Sequence, residues 1–446
     1  MNIYNENNPH PFYNKECELI WKGKYDIYGN KTNFDFSPNN KLKKHEILRK
    51  KDNDSNLNFL FFSENRDVLV NLKKYVDNVD LIYIDPPYNT GNKFYEKIKM
   101  GDKVVSVNSY IDKFKVDEYL QFMYERLFLM HKLLKEIDSI FVHLDWHIGH
   151  YVKMLMDEIF GKDNFQNEII WSYDQGARGK ERFARKHDTI FWYSMSKSHH
   201  FFADEILVPY ESGMTKWRYT KGYQVGKEMP KGKVPSDVWD IKFNSMTERL
   251  YDTEKPYELI EKIVQACSTP SMIVADFFCG SGTTLSVAQK LNRRWLGSDS
   301  GMSSFKVTRK RMYQYTTNID TYINEDLLDT ILENHYLECS IEAKDNLVFI
   351  KIDKFIPKIN ENVSKKDIDY IKSYFEENPF EYIEFWGIDY NYNGEFFTYD
   401  DIIFSDKKKK VLSIVSNKGF PKEKCGIIAI KVVDIFGKET IKILGD

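Results

Sequence analysis

The sequence predicts a doubly wound α/β fold: a seven-stranded sheet flanked by helices, carrying a polar insertion and followed by a small α+β region. Three observations carry this. Apolar runs of strand length recur near residues 57, 79, 139, 168, 189, 272 and 294, most of them joined by segments with helical periodicity. Two of the runs end in an acid and then a loop rich in proline or glycine, Asp85-Pro86-Pro87-Tyr88 and Asp276-Phe277-Phe278-Cys279-Gly280-Ser281-Gly282. A chain of 446 residues, 42% hydrophobic and 29% charged, has the balance of a globular protein of two or three domains.

Composition also excludes. No apolar run is long enough to cross a bilayer, and Met1 to Asn30 lack a signal pattern, so a cytoplasmic protein is expected, with no membrane partner. Cys17, Cys267, Cys279, Cys339 and Cys425 show no C-x-x-C spacing, which points away from zinc and from a disulfide framework; no metal is expected. A net charge of −3 means that any nucleic-acid surface must be a local patch.

Taken in order, residues 1–56 are polar, with one apolar island at Leu19-Ile20-Trp21, and are expected to form an arm packed on the main domain. The strand Leu57 to Phe62 runs into Glu64 and Asn65, and the strand ending at Ile84 runs into Asp85. Asn92 to Lys115 is polar and is read as a mobile loop. From Val116 to Lys135 apolar residues recur at three and four, which makes a helix with one buried face. Ser139 to Leu144 is a buried strand and His147 to Phe160 a helix; His143, His147 and His150 are read as core or surface residues. Strands at Glu168 to Trp171 and Thr189 to Ser194 follow. Between residues 174 and 246 the composition turns basic. Gly176 to Lys186 holds Arg178, Lys180, Arg182, Arg185 and Lys186 against Glu181, and Gly213 to Lys233 holds Lys216 and Arg218 among further lysines, Trp217, Tyr219 and Tyr223. Such a run is usually a solvated face, but its place between the two acid-ended loops favours DNA.

A helix from Pro256 to Ser268, with proline at its first turn, leads to the strand that ends at Asp276. Gly280 and Gly282 allow positive φ and close approach of a ligand to the backbone, and the helix that begins at Thr283 presents unpaired N–H groups. A second run, Trp295-Leu296-Gly297-Ser298, ends in Asp299, a spacing suited to ribose hydroxyls; the glycine spacing is not that of a dinucleotide site. After a basic helix at Ser303 to Gln314, residues 318–446 form the C-terminal region. From about residue 345 it alternates strand-like segments with one helix near Asp367 to Phe375, and its aromatic stretch Phe380 to Trp386 reads as an interface or a core strand.

The Asp85 to Tyr88 tetrapeptide together with the Asp276 to Gly282 loop, in that order, resembles the β class of amino-methylating (N6-adenine/N4-cytosine) DNA methyltransferases, which includes modification subunits of type III restriction systems. The resemblance spans roughly residues 57–317. It implies a Rossmann-like catalytic domain of permuted motif order, with residues 174–246 as target-recognition insertion and 318–446 as an accessory domain. It implies S-adenosyl-L-methionine as cofactor, bound by Asp276, Phe277, Phe278, Gly280, Ser281, Gly282, Thr283, Asp299, Lys255 and Asn65. Asp85, Pro86, Pro87 and Tyr88 would handle the target amine, and Arg178, Lys180, Arg182, Arg185, Lys216 and Arg218 the DNA. An acid at position 85 favours adenine N6, since cytosine-N4 members more often have serine there. Double-stranded DNA is the expected partner, with a homodimer and a restriction subunit on a separate chain as expected assemblies. Competing readings are a cytosine-N4 enzyme, an RNA or protein-glutamine methyltransferase, and a DNA-binding subunit with an inactive fold.

Overall fold

The computed structural model describes residues 18–26, 30–32, 34–49, 57–91, 93–101, 103–174, 181–210, 224, 227, 231–243, 254–315, 318–359, 363, 365–406 and 412–444. Its strands, in chain order, are β1 (Leu42–Leu48), β2 (Leu57–Phe62), β3 (Leu81–Ile84), β4 (Lys93–Met100), β5 (Lys103–Ile111), β6 (Ser139–Leu144), β7 (Phe165–Ser172), β8 (His187–Ser194), β9 (Val238–Asp240), β10 (Ile273–Asp276) and β11 (Arg294–Asp299). The C-terminal part of the chain adds β12 (Asn318–Asn324), β13 (Tyr336–Lys344), β14 (Leu347–Ile356), β15 (Ile383–Asp389), β16 (Phe397–Tyr399), β17 (Asp401–Phe404), β18 (Phe420–Pro421), β19 (Ile428–Asp434) and β20 (Glu439–Leu444).

The main sheet has the order β16-β1-β12-β2-β11-β10-β3-β6-β8-β7-β9. From β12 to β6 all neighbours are parallel, and β8 then runs antiparallel to both β6 and β7. The seven strands expected from the sequence form its contiguous centre. The apolar runs of β2, β3, β6 and β10 are continuous because both faces are covered, whereas β7 near the sheet edge buries only Ile169 and Trp171. Alternate residues divide between two cores: Leu60, Phe62, Leu81 and Tyr83 pack with helices Tyr257–Cys267, Thr283–Lys290 and Met302–Tyr313. Phe59, Phe61, Ile82 and Ile84 pack with helices Asn65–Asn71, Val116–His131 and Gly149–Phe160. Trp21 of the arm is buried in this second core and donates from its indole to Gln121 (3.0 Å).

Three expectations need correction. The sheet continues beyond the seven strands: β1 lies in the stretch read as an arm, and β12 and β16 in the C-terminal region. A strand such as β1, Leu-Lys-Lys-His-Glu-Ile-Leu, hides from an apolar search because it buries Glu46, which is 0% exposed. Glu46 meets Lys431 (2.9 Å), Arg309 (3.3 Å) and the hydroxyls of Tyr313 and Tyr399 (2.6 and 2.7 Å), while Glu439 pairs with Arg309 and Lys431. Burial opposes the charge on both acids, but Lys431 and Arg309 hold their carboxyls well below the usual range. The helix read as basic therefore buries its arginine: Arg309 and Lys306 are both inside. Third, residues 93–111 form a β4–β5 hairpin instead of a mobile loop. Finally, of the two readings offered for the aromatic stretch, the core strand holds: β15 is buried along its whole length, inside the sheet β17-β15-β19-β20.

Candidate functional site

Chain order reverses between β10 and β3: β10 continues to β11 on one side, β3 to β6 on the other. A crevice opens at the carboxyl ends of strands at such a point. The pairing of Ala275 with Ile82 sets Asp276 level with Tyr83, so Asp85 and the glycine loop project past neighbouring strand ends although they are far apart in sequence. Between them lies a cavity of about 420 Å³, lined among others by Asp85, Pro86, Pro87, Tyr88, Lys255, Phe278, Gly280, Ser281, Thr283 and Asp299.

The loop side is built from its own neighbourhood. Asp276 is 3% exposed, and its carboxylate accepts from Phe278 N (3.0 Å) and Thr284 Oγ1 (2.6 Å). Burial pushes its pKa up to about 7 against those hydrogen bonds. Both oxygens thus serve the loop. Asp299 accepts from Gly280 N (2.9 Å) and Gly301 N (2.8 Å), and burial raises its carboxyl as well. Gly280 and Gly282 have φ of 49° and 76°, and a Cβ on Gly282 would stand 2.9 Å from Thr308. The sequence singled out both phenylalanines, and both line the cavity; Phe277 is also packed in the core (0% exposed), and Phe278 lies near Phe122. Asn65 lines it too, yet its amide is engaged by protein: Nδ2 donates to Phe277 O (2.9 Å), and Oδ1 accepts from buried Arg126 (2.5 Å).

The opposite side is assembled from distant segments. Asp85 accepts from Tyr88 Oη (2.5 Å) and forms an ion pair with Lys255, whose ammonium also stands 5.2 Å from the Tyr88 ring. Burial first, then the Asp85 charge, raises the Tyr88 phenol well above its ordinary range, so it remains a donor. Tyr119 donates to Pro87 O (2.7 Å). Asp112, 1% exposed, accepts from Asn89 N and Thr90 N (2.8 and 2.9 Å) and pins the loop just after Tyr88. Beneath lies a buried chain that the sequence did not announce: Tyr83 Oη sits 2.8 Å from His143 Nδ1, His143 Nε2 3.3 Å from Asp188, and Tyr173 donates to Asp188 (2.9 Å).

A profile of the DNA methylase family (N6_N4_Mtase) matches residues 79–310, more than half of the chain and both sides of the cavity. The chain belongs to the DNA methylase family. Among curated members it is 31% identical over 259 residues to the type II methyltransferase M.BglII of Bacillus subtilis, covering 54% of this chain and 65% of that one. It is 28% identical over 254 residues to the DNA adenine methyltransferase YhdJ of Escherichia coli (strain K12), covering 55% and 80% of the two chains. It is 33% identical over 237 residues to the type II methyltransferase M1.MboII of Moraxella bovis, covering 50% and 84%. The match thus spans just under two thirds of the length of M.BglII.

Of the DNA-directed cations named from the sequence, Arg178, Lys180, Lys216 and Arg218 lie outside the described residues. Arg182 and Arg185 are exposed, and the Arg185 guanidinium stacks 3.3 Å above the Trp146 ring. Pairing of Ile84 with Val142 places β6 beside β3, and Trp146 follows two residues after the end of β6. Among the described residues, no helix is long and apolar enough to cross a membrane.

Proposed function

We propose that the protein transfers the methyl group of S-adenosyl-L-methionine to the N6 amine of an adenine turned out of double-stranded DNA. The observation that carries this is one cavity with Asp85-Pro86-Pro87-Tyr88 on one wall and the Gly280–Gly282 loop on the other. The cofactor fits what is present. The volume lies in the ~300–1,000 Å³ range of small-molecule sites, and a Cβ on Gly280 would have its nearest neighbour only at 4.0 Å, so the loop is open to a ligand. Asp276, Phe277, Phe278, Gly280, Ser281, Gly282, Thr283, Asp299, Lys255 and Asn65 are the residues assigned to hold it, Gly282 by leaving room in the loop and the others from the cavity lining. When bound, the cofactor supplies an electrophilic methyl on a sulfonium.

The protein's task is to prepare the amine. Its lone pair is delocalised into the ring, so acceptors for its two N–H bonds, Asp85 carboxylate and Pro86 carbonyl, orient it and restore its nucleophilicity. A base inside a duplex is out of reach and must be flipped; the Tyr88 ring offers a stacking face. The acid at position 85, together with the adenine-directed name of YhdJ, favours N6 over cytosine N4. Exposed Arg182 and Arg185, with Arg178, Lys180, Lys216 and Arg218 of the same insertion, are assigned to DNA phosphates. A homodimer and a cleaving subunit on another chain belong to the same reading; light scattering and copurification test them.

The test is incubation of the full-length protein with labelled cofactor and DNA of mixed sequence, followed by sequencing that maps the modified base. Label in DNA at adenine is the expected result. Label only in RNA or protein, or only at cytosine, overturns the assignment.

A further inference from the structure

The hairpin β4–β5 joins the Asp85 loop to the C-terminal domain. Its root is part of the cleft: Thr90, Asp112 and Phe114 line the cavity, Gly91 N donates to Asp112 O (2.6 Å), and Phe114 N donates to Asn89 Oδ1 (2.8 Å). Asn89 has φ 56°, a left-handed turn that these bonds hold in place directly after Tyr88. The strands then run out for eight residues in β4, about 25 Å at the usual rise. One face of their outer end is buried, although Val104 stays exposed. Ile98, Met100 and Val105 are 7%, 1% and 0% exposed and belong to the core of the C-terminal domain with Ile371, Phe375 and Trp386. Tyr370 donates to Met100 O (3.0 Å), Lys103 pairs with Asp367 (2.6 Å), and Gly101 turns against Tyr374 at φ 56°.

The same domain grips the cofactor side. Lys306 donates to Ile435 O (2.7 Å), Lys310 pairs with Glu384 (2.7 Å), and Arg309 enters the buried cluster with Glu439. These three cations sit on the helix Met302–Tyr313, which follows directly on Gly301, the donor to Asp299. One domain therefore contacts both walls of the cavity, one through a helix and the other through a hairpin.

Resting on the reading above, we propose that the C-terminal domain is a brace for the transfer step: Met100, Val105 and Tyr370 are positioning residues that set the distance between the Asp85 loop and the glycine-loop wall. Positioning matters because a misplacement of about 1 Å at reacting atoms can cost roughly a hundredfold in rate. Displacing the hairpin acts on the transfer rate and not on cofactor binding, because the domain holds the glycine-loop wall through a different element, the helix Met302–Tyr313.

The test compares three full-length proteins with the wild type: Met100→Asp, which puts a charge into the tip core; Met100→Leu, which keeps it apolar; and a shortened hairpin with residues 97–106 replaced by Asn-Gly. Each is read by kcat on DNA carrying the mapped site, by calorimetry with S-adenosyl-L-methionine, and by thermal melting. Met100→Asp and the shortened hairpin should lose at least tenfold in kcat with cofactor Kd within about twofold, Met100→Leu should keep activity, and combining Met100→Asp with Tyr370→Phe should add little. A shortened hairpin with wild-type kcat overturns the brace even if Met100→Asp fails to fold. Cofactor affinity that falls in step with kcat overturns it too, because the domain would then only support the fold. A wild-type protein that methylates no DNA instead refutes the proposed function.

Discussion

The two walls of the cavity are built on different plans. The glycine-loop wall is local: Asp276, Phe278, Gly280, Thr284 and Asp299 satisfy one another within a short stretch of chain, mostly through backbone N–H groups. The Asp85 wall is a meeting place, where Lys255, Asp112, Tyr119 and a hairpin anchored in the C-terminal domain converge on one loop. A wall whose hydrogen bonds close within one stretch of chain does not depend on distant segments for its loop geometry. A wall held from several directions can be displaced by any of its supports, which suits the place where a base enters and the rate is set.

This contrast can be broken by substitution, and the largest effect is expected at its centre. Asp85→Ala removes an acceptor for the amine, and methylation should fall by at least about a hundredfold, while calorimetry shows cofactor affinity almost unchanged. Parallel loss of both would make Asp85 part of the cofactor wall. Next, Gly282→Val forces a branched side chain into positive φ and against Thr308 at 2.9 Å. Cofactor Kd should rise roughly tenfold or more, given the ~1–3 kcal/mol such strain carries, and DNA affinity should stay constant; an unchanged Kd would show that the loop has slack.

The pH dependence sharpens the comparison further. Asp276 has its pKa raised in the fold to about 7 from an ordinary 3.8. A raised acid favours the folded state fully below the unfolded value, and the contribution is lost as pH rises through about 7; the whole change is on the order of a few kcal/mol. Asp276→Asn should flatten the stability curve between pH 4 and 7 in denaturant titrations, and an equally steep curve would assign the slope to other groups. Glu46 and Glu439, held down by Lys431 and Arg309, work in the opposite sense: their stabilisation is present above the unfolded carboxylate range and disappears as pH falls below it. The smallest effect is expected in the insertion. Replacing Arg182 and Arg185 by glutamine should weaken DNA binding and reduce its salt slope by about two units if each meets one phosphate; an unchanged slope returns this run to an ordinary solvated face.

The central strands and the site's two signatures were legible along the chain. Strands buried on both faces are continuous apolar runs, so β2, β3, β6 and β10 stand out, and loops shaped by proline or positive-φ glycine carry their geometry in their composition. Only the tertiary structure decided the rest. Lys255 meets Asp85 across 170 positions, His143 becomes the middle of a buried chain from Tyr83 to Asp188, and Glu46 hides in a strand because its cations come from Arg309 and Lys431. The hairpin at residues 93–111 looked like a loop because the surface that buries its tip lies more than two hundred residues away. Backbone preference and burial periodicity are properties of neighbours and can be read along the chain. Ion pairs, buried polar chains and long-range supports depend on which distant groups arrive beside one another, and that is decided only when the sheet and the C-terminal domain close around them.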